Sequence, residues 1–313
     1  MIWPWNRPGA LTAALELIDD HLARAGGRVR TGEPQIVRQW SISTVLRVPT
    51  DGGPVWFKAV PAGFAHEGRL THWVWRAVPD HAAPVLGHGE GWLLTEELAT
   101  QAPQPFATAL AAAARVQLAS VGRGEELRAL GCPERGPRQL VAELTGLASR
   151  HDLLDDEVSR ALTMALPAVA DTLHPLADDV PLVLVHGDVQ PENVGWTGSD
   201  WALIDWTDAS LGHPFAELAR PLMQASREER ERVETAFTAV WSQVMGPDVV
   251  RRALAAVPVL GAAHQVGNYL RIVDRIGGAD GLRELLHQWL DRLLLAVAAP
   301  SVPTSAVPSA RLP

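Results

Sequence analysis

Lysine is almost absent from this chain: Lys58 is the only one among 27 basic residues, and the other 26 are arginines. A GC-rich genome explains that bias, so the informative point is where the one lysine stands. Cysteine is equally scarce. A single Cys132 excludes an intramolecular disulfide and a cysteine metal site, and it reads as a buried thiol in a reducing compartment. No apolar run approaches the roughly 18 to 20 residues of a membrane span, and residues 1–27 lack the pattern of a secretory leader. A cytoplasmic protein without a membrane partner is therefore expected. A net charge of −9 argues against a nucleic-acid partner, and no obligate protein partner is evident. Tyrosine occurs once against 12 tryptophans, for which core packing is the default reading.

What is present is enough hydrophobic sequence, 47% of 313 residues, for a large core and two lobes. Helical spacing of Leu11, Leu15, Ile18 and Leu22 predicts a helix over 10–22. The pattern then turns to β. A hairpin is expected from 43–48 and 55–60 around the turn 50–53, followed by a helix over 63–78. Two short strands, 84–86 and 92–95, are expected on either side of Gly87-His88-Gly89. The N-terminal lobe, residues 1–97, should end there. The C-terminal lobe, 98–299, reads as mostly helical, with amphipathic stretches at 105–118, 140–148, 158–173, 228–244 and 282–297. Four prolines in 300–313 predict a disordered tail.

One β island interrupts the second lobe: LVLVHGDVQPENVGWTGSDWALIDWTD, residues 182–208. Asp188, Asn193 and Asp205 each stand at or near the end of a short apolar strand, where a hairpin brings strand ends together. Two carboxylates and an amide are hard oxygen donors of the kind Mg²⁺ prefers, with phosphate and water completing its shell. Singly, Asp188 and Asn193 read equally well as turn formers. Jointly, at this spacing, they point to a phosphorylated substrate.

HGDVQPEN followed by ALIDW resembles the catalytic loop and metal-binding segment of the aminoglycoside phosphotransferase family, small-molecule kinases with a protein-kinase-like fold. The pattern His-x-Asp-x-x-x-x-Asn, then an apolar strand ending in Asp, is met by His186, Asp188, Asn193 and Asp205. The resemblance covers roughly residues 35–223. It implies an α+β, bilobal fold with a small N-terminal β-rich lobe, a catalytic loop at 186–193 and a metal-binding segment at 202–206. It also implies ATP and Mg²⁺ as cofactors, Asp188 as the catalytic residue that takes or orients the acceptor proton, and Asn193 and Asp205 as the metal ligands. His186 reads as structural.

The first lobe tests this reading, because a kinase needs a cation on a central strand to hold the α and β phosphates. Lys58 stands on such a strand, and Glu67, nine residues on, is its natural ion-pair partner near a helix start. No glycine-rich loop precedes the lysine. The turn 39–44 offers Ser41 and Ser43 to phosphate instead, and the segment Glu96 to Leu98 resembles the hinge whose backbone would bind adenine.

Gly187 stands where protein kinases place an arginine, and only a short segment separates Asp205 from GHPFAELA. A small-molecule hydroxyl acceptor is therefore expected, an antibiotic or a metabolite such as an amino alcohol or sugar. His213 and Glu217 replace aspartates common in the family, and His213-Pro214 reads as structural. The acidic sets Asp152, Asp155, Asp156, Glu157 and Asp274, Asp280, Glu284, Asp291 could line a pocket for a cationic acceptor or simply face solvent. Two other classes remain open: an inactive nucleotide-binding regulator, and a metal-dependent hydrolase built on His186, Asp188 and Asp205.

Overall fold

The computed structural model describes residues 8–99, 106–276 and 281–299. Its first part holds helix α1 (Ala10–Arg24), strands β1 (Gln35–Gln39), β2 (Thr44–Val48) and β3 (Val55–Ala59), helix α2 (His66–Ala77), and strands β4 (Val85–Gly89) and β5 (Trp92–Glu96). The strands form one antiparallel sheet in the order β1-β2-β3-β5-β4. Alternate residues of β2 and β3 are buried, so Leu46, Val48, Val55 and Phe57 meet Ala14, Ile18 and Leu22 of α1. Each such fully buried aliphatic side chain contributes about 1.5 to 3 kcal/mol. The same period of two turns Val45, Trp56 and Lys58 to the opposite face. Lys58 thus stands on a central strand, between Val45 of β2 and Leu93 of β5.

The expected turn at Gly87-His88-Gly89 is instead part of β4, and the chain reverses at Glu90-Gly91. These two glycines serve close approach rather than turning. A Cβ on Gly87 would lie 2.4 Å from the His21 ring, and one on Gly89 2.3 Å from the Trp92 indole.

The second part is mostly helical. It runs through α3 (Phe106–Ala119), α4 (Gly124–Ala129), β6 (Glu134–Arg135), α5 (Pro137–Leu147), α6 (Asp156–Leu173), β7 (Val183–Val185), the hairpin β8 (Val194–Trp196) and β9 (Trp201–Leu203), and β10 (Ser210–Gly212). Helices α7 (Ala219–Gln224), α8 (Arg227–Trp241), α9 (Pro247–Ile276) and α10 (Leu282–Ala298) follow. β10 lies between β6, which it parallels, and β7, which it opposes. The five expected helices are all present. Residue 105 and the tail 300–313 lie outside the described residues.

The longest element, α9, had no counterpart in the sequence reading. Its middle is buried nearly all round, from Val257 to Tyr269, so it shows no polar stripe, and Pro258 interrupts it. It packs beneath the loop between β7 and β8, and that contact places the site.

Candidate active site

Lys58 ends in a saturated cluster. Its ammonium donates to Glu67 Oε1 at 2.8 Å, Asp205 Oδ1 at 2.7 Å and Thr207 Oγ1 at 2.8 Å, which spends all three of its N–H groups. Burial works against the charge, but the two carboxylates outweigh it and raise the lysine above its usual range. Glu67, 1% exposed, is pushed up by burial while Lys58 pulls it down. For Asp205 burial would also raise the carboxyl; the charge and hydrogen bond of Lys58, with Thr207, hold it down at about 2. Asp205 has φ of 67°, the only positive value among described non-glycine residues. That left-handed turn lets the chain leave β9 with the carboxylate facing Lys58.

The loop 186–193 is fixed from three sides. Glu217 accepts the backbone N–H groups of His186 at 2.7 Å and Gly187 at 2.9 Å, and the Gln117 amide supports it. The buried His186 donates from Nε2 to the Ile204 carbonyl at 2.9 Å, tying the loop to the strand that leads to Asp205. Gln265 of α9 donates to the Gly187 carbonyl at 2.7 Å. Gly187 has φ of 82°, and a Cβ there would lie 2.9 Å from the Asp208 carbonyl oxygen. The departure at Glu217 therefore still grips the loop, and the buried His213 accepts the Phe215 N–H. Burial lowers that imidazole to about 4.

Asp188 Oδ2 accepts from the Asn193 amide at 2.9 Å and the Gln190 amide at 3.0 Å. Oδ1 lies 2.9 Å from Arg220 Nε. Burial raises the Asp188 carboxyl; Arg220 opposes that rise and Asp205 adds to it.

A cleft of about 480 Å³ lies between the sheet and the helical part, lined by Trp56, Lys58, Glu67, Leu98, Asn193 and Asp205 among others. Glu96 and Leu98 both border it, although the Glu96 carboxylate is spent on Arg28 at 2.8 Å. Ser41 and Ser43 are not among its lining residues. Ser41 is exposed, and the Ser43 hydroxyl accepts the Trp40 indole N–H at 2.9 Å, so the turn closes on itself. A second cavity of equal volume, beside Leu118 and Trp241, gathers no such cluster; its one carboxylate, Asp179, pairs with Arg252.

Of the acidic sets, Asp152 and Asp274 pair with Arg150, and Asp155 caps α6. Asp280 lies outside the described residues. Sequence reasoning missed Thr207, two residues past Asp205, and Arg220, three past Glu217. Only the fold brings either to the site.

No group of three or more His, Cys, Asp or Glu among the described residues could by itself hold a metal. One carboxylate and one amide, Asp205 and Asn193, nonetheless fit Mg²⁺, which binds through one or two carboxylates and takes its remaining donors from phosphate and water.

A small antiparallel sheet presenting a lysine across a cleft to a larger helical body defines the protein-kinase-like class of phosphotransferases. The model of the phosphotransferase enzyme family, APH, matches residues 43–257, and the chain belongs to that family. That family consists of phosphotransferases. Among solved structures it is similar to a choline/ethanolamine kinase family protein of Mesorhizobium loti, at 16% identity and TM-score 0.61, covering 91% of this chain and 95% of that one. It is also similar to the ethanolamine kinase of Plasmodium vivax, at 11% and 0.60, covering 94% and 90%. The macrolide 2'-phosphotransferase of Brachybacterium faecium is similar at 17% and 0.54, covering 92% and 99%. No curated protein matches the sequence.

Proposed function

We propose that the protein transfers the γ-phosphoryl group of ATP to a hydroxyl of a small metabolite or antibiotic in the cytoplasm, with its two lobes meeting near residue 97. The observation that carries this reading is the convergence on one cleft of Lys58, Asp205 and Asn193, with the Asn193 amide bonded to Asp188 behind it. Lys58 holds the α and β phosphates. To do so it exchanges one of its three partners, and Asp205, 40% exposed, is freer to leave than Glu67 at 1%.

Asn193 and Asp205 would hold Mg²⁺, which supplies neutralisation of phosphate charge. Asp188 orients the acceptor hydroxyl and takes its proton. The acceptor oxygen forms the new P–O bond while the bond from the γ phosphorus to the β–γ bridging oxygen breaks, and ADP leaves with that electron pair. Glu96 to Leu98 form the adenine edge of the cleft. Catalysis on this reading is positioning and electrostatics.

Acceptors named for structural neighbours are an amino alcohol and macrolides, and both offer a hydroxyl. The testing experiment is an ADP-release screen over sugars, amino alcohols, hydroxy acids and antibiotics. Acceptor-dependent release that vanishes in Asp188→Asn is expected. Release without acceptor, unaffected by Lys58→Ala, would overturn the reading in favour of a hydrolase, and Mg-ATP binding without turnover would favour an inactive regulator.

A further inference from the structure

On this phosphoryl-transfer reading, the acceptor hydroxyl must reach an oxygen of Asp188 that has lone pairs to spare. Oδ2 already takes two amide N–H groups, from Asn193 and Gln190. Oδ1 does not. Arg220 Nε is 2.9 Å away, yet its N–H is not aligned on the oxygen, and both atoms are buried without a hydrogen-bond partner. A hydroxyl arriving at Oδ1 therefore arrives beside a guanidinium.

That guanidinium is anchored. Its Nη2 donates to the Tyr269 hydroxyl of α9, its Nη1 reaches Gln190 Oε1 at 3.4 Å, and its carbon lies 5.8 Å from the Tyr269 ring centre. The side chain is only 16% exposed, so swinging it aside breaks contacts to both α9 and the loop. Asp208 also acts on the Arg220 charge, though less than Asp188 does. Asp208 faces a second arginine, Arg271, at 3.8 Å, and none of the three nitrogens of that guanidinium has a hydrogen-bond partner. Asp188 Oδ1 thus faces an arginine N–H that pairs with it by charge without being aligned on it, whereas its other oxygen faces neutral amides.

We infer that Arg220 determines acceptor specificity: it receives a carboxylate or phosphate group borne close to the reacting hydroxyl, and it disfavours an ammonium group there. The planar fork of arginine matches both oxyanions, and a like charge placed against it is repelled. The acceptor class is thereby narrowed to hydroxylated acids, as distinct from polycationic sugars and amino alcohols.

The test uses matched acceptors with Mg-ATP and reads acceptor-dependent ADP release: glycerate, glycerol and ethanolamine, then gluconate, glucose and glucosamine. In the wild-type protein kcat/KM should be highest for the acid and lowest for the amine of each trio. Arg220→Gln should lower kcat/KM for the acids about 10- to 100-fold, mainly through KM, which is the range of one charged hydrogen bond. Because Arg220 also touches Asp188, kcat falls for the neutral acceptors as well, and the readout is the acid-to-neutral ratio of kcat/KM, which should drop about 10-fold. Arg220→Lys should keep part of the preference. Thermal melts and Mg-ATP affinity check the fold of both variants; if Arg220→Gln does not fold, the wild-type ranking and Arg220→Lys decide.

Preference for the amines, or an acid-to-amine ratio unchanged by either variant, overturns the inference. Where such turnover is still abolished by Asp188→Asn, the inference fails alone. No release with any of the six compounds overturns the inference alone when the wider screen finds another acceptor, and together with the phosphotransferase mechanism when it finds none.

Discussion

Two cation–carboxylate clusters lie on either side of Asp205, and they are built to different degrees of completion. Around Lys58 every N–H has a partner within 2.8 Å. Around Asp188, Arg220 Nε faces Oδ1 at 2.9 Å and Arg271 faces Asp208 Oδ1 at 3.8 Å, and these buried atoms pair by charge without an aligned hydrogen bond. Unpartnered buried polar atoms are costly, about 1 to 3 kcal/mol each, so a fold retains them where something else recovers the cost. The saturated cluster is a prebuilt electrostatic cradle. The unsaturated one holds its hydrogen-bonding capacity for what it binds.

The sharpest break in this comparison comes from Asp188→Asn, which keeps the shape but cannot take a proton. Acceptor-dependent kcat should fall about 10³-fold, with Mg-ATP affinity unchanged by calorimetry; a loss under tenfold would remove Asp188 from its role. On the other side, Lys58→Met should lower kcat about 10²-fold. It should also destabilise the fold by about 3 kcal/mol in urea melts, because Glu67 then sits buried without its cation. Adding Glu67→Gln should restore stability but not activity, and restoration of both would show that the cluster is only structural.

The loop that carries Asp188 can be loosened without touching it. Glu217→Ala strands the His186 and Gly187 N–H groups and should cost about 3 kcal/mol, while Glu217→Gln, which still accepts one of them, should cost less.

The smallest effect is in pH. His213 is held neutral, with burial lowering it to about 4, against about 6.5 in the unfolded chain. Below pH 6.5 the unfolded chain takes a proton that the folded chain refuses, so stability is full above that pH and declines as pH falls from 6.5 to 4. The decline is on the order of 2 kcal/mol. His213→Asn, which can still accept the Phe215 N–H, should reduce that slope in chemical denaturation across this window, leaving the part that comes from the buried His66 and His264.

The Asp188–Asn193 and Lys58–Glu67 pairs were legible in the sequence because their spacings are local. Asn193 stands five positions after Asp188 and Glu67 nine after Lys58, and strand alternation sets which way Lys58 points. The surroundings of Asp188 Oδ1 were not, because their parts meet only through tertiary packing. Tyr269 and Arg271 belong to α9, whose apolar circumference hides its period, and Arg220 reaches Asp188 from 32 positions away in the chain. Thr207 is near Asp205 in sequence, but a hydroxyl there reads as a turn residue until the lysine is seen beside it. Ser43 shows a contact of the same hidden kind: its hydroxyl accepts the Trp40 indole N–H, which spacing alone does not reveal.

The scarcity of lysine gives the molecule an unusual chemical simplicity. Apart from the amino terminus of the chain, an acylating reagent finds a single primary amine, and that amine lines the cleft. Lys58 should therefore contribute a single modification per molecule, readable as one mass increment beside that of the amino terminus. Protection by a bound nucleotide would then count occupied sites directly. The same carboxylates that keep the ammonium protonated also make it a slow nucleophile, so the reaction should be most selective when the reagent is delivered on a nucleotide.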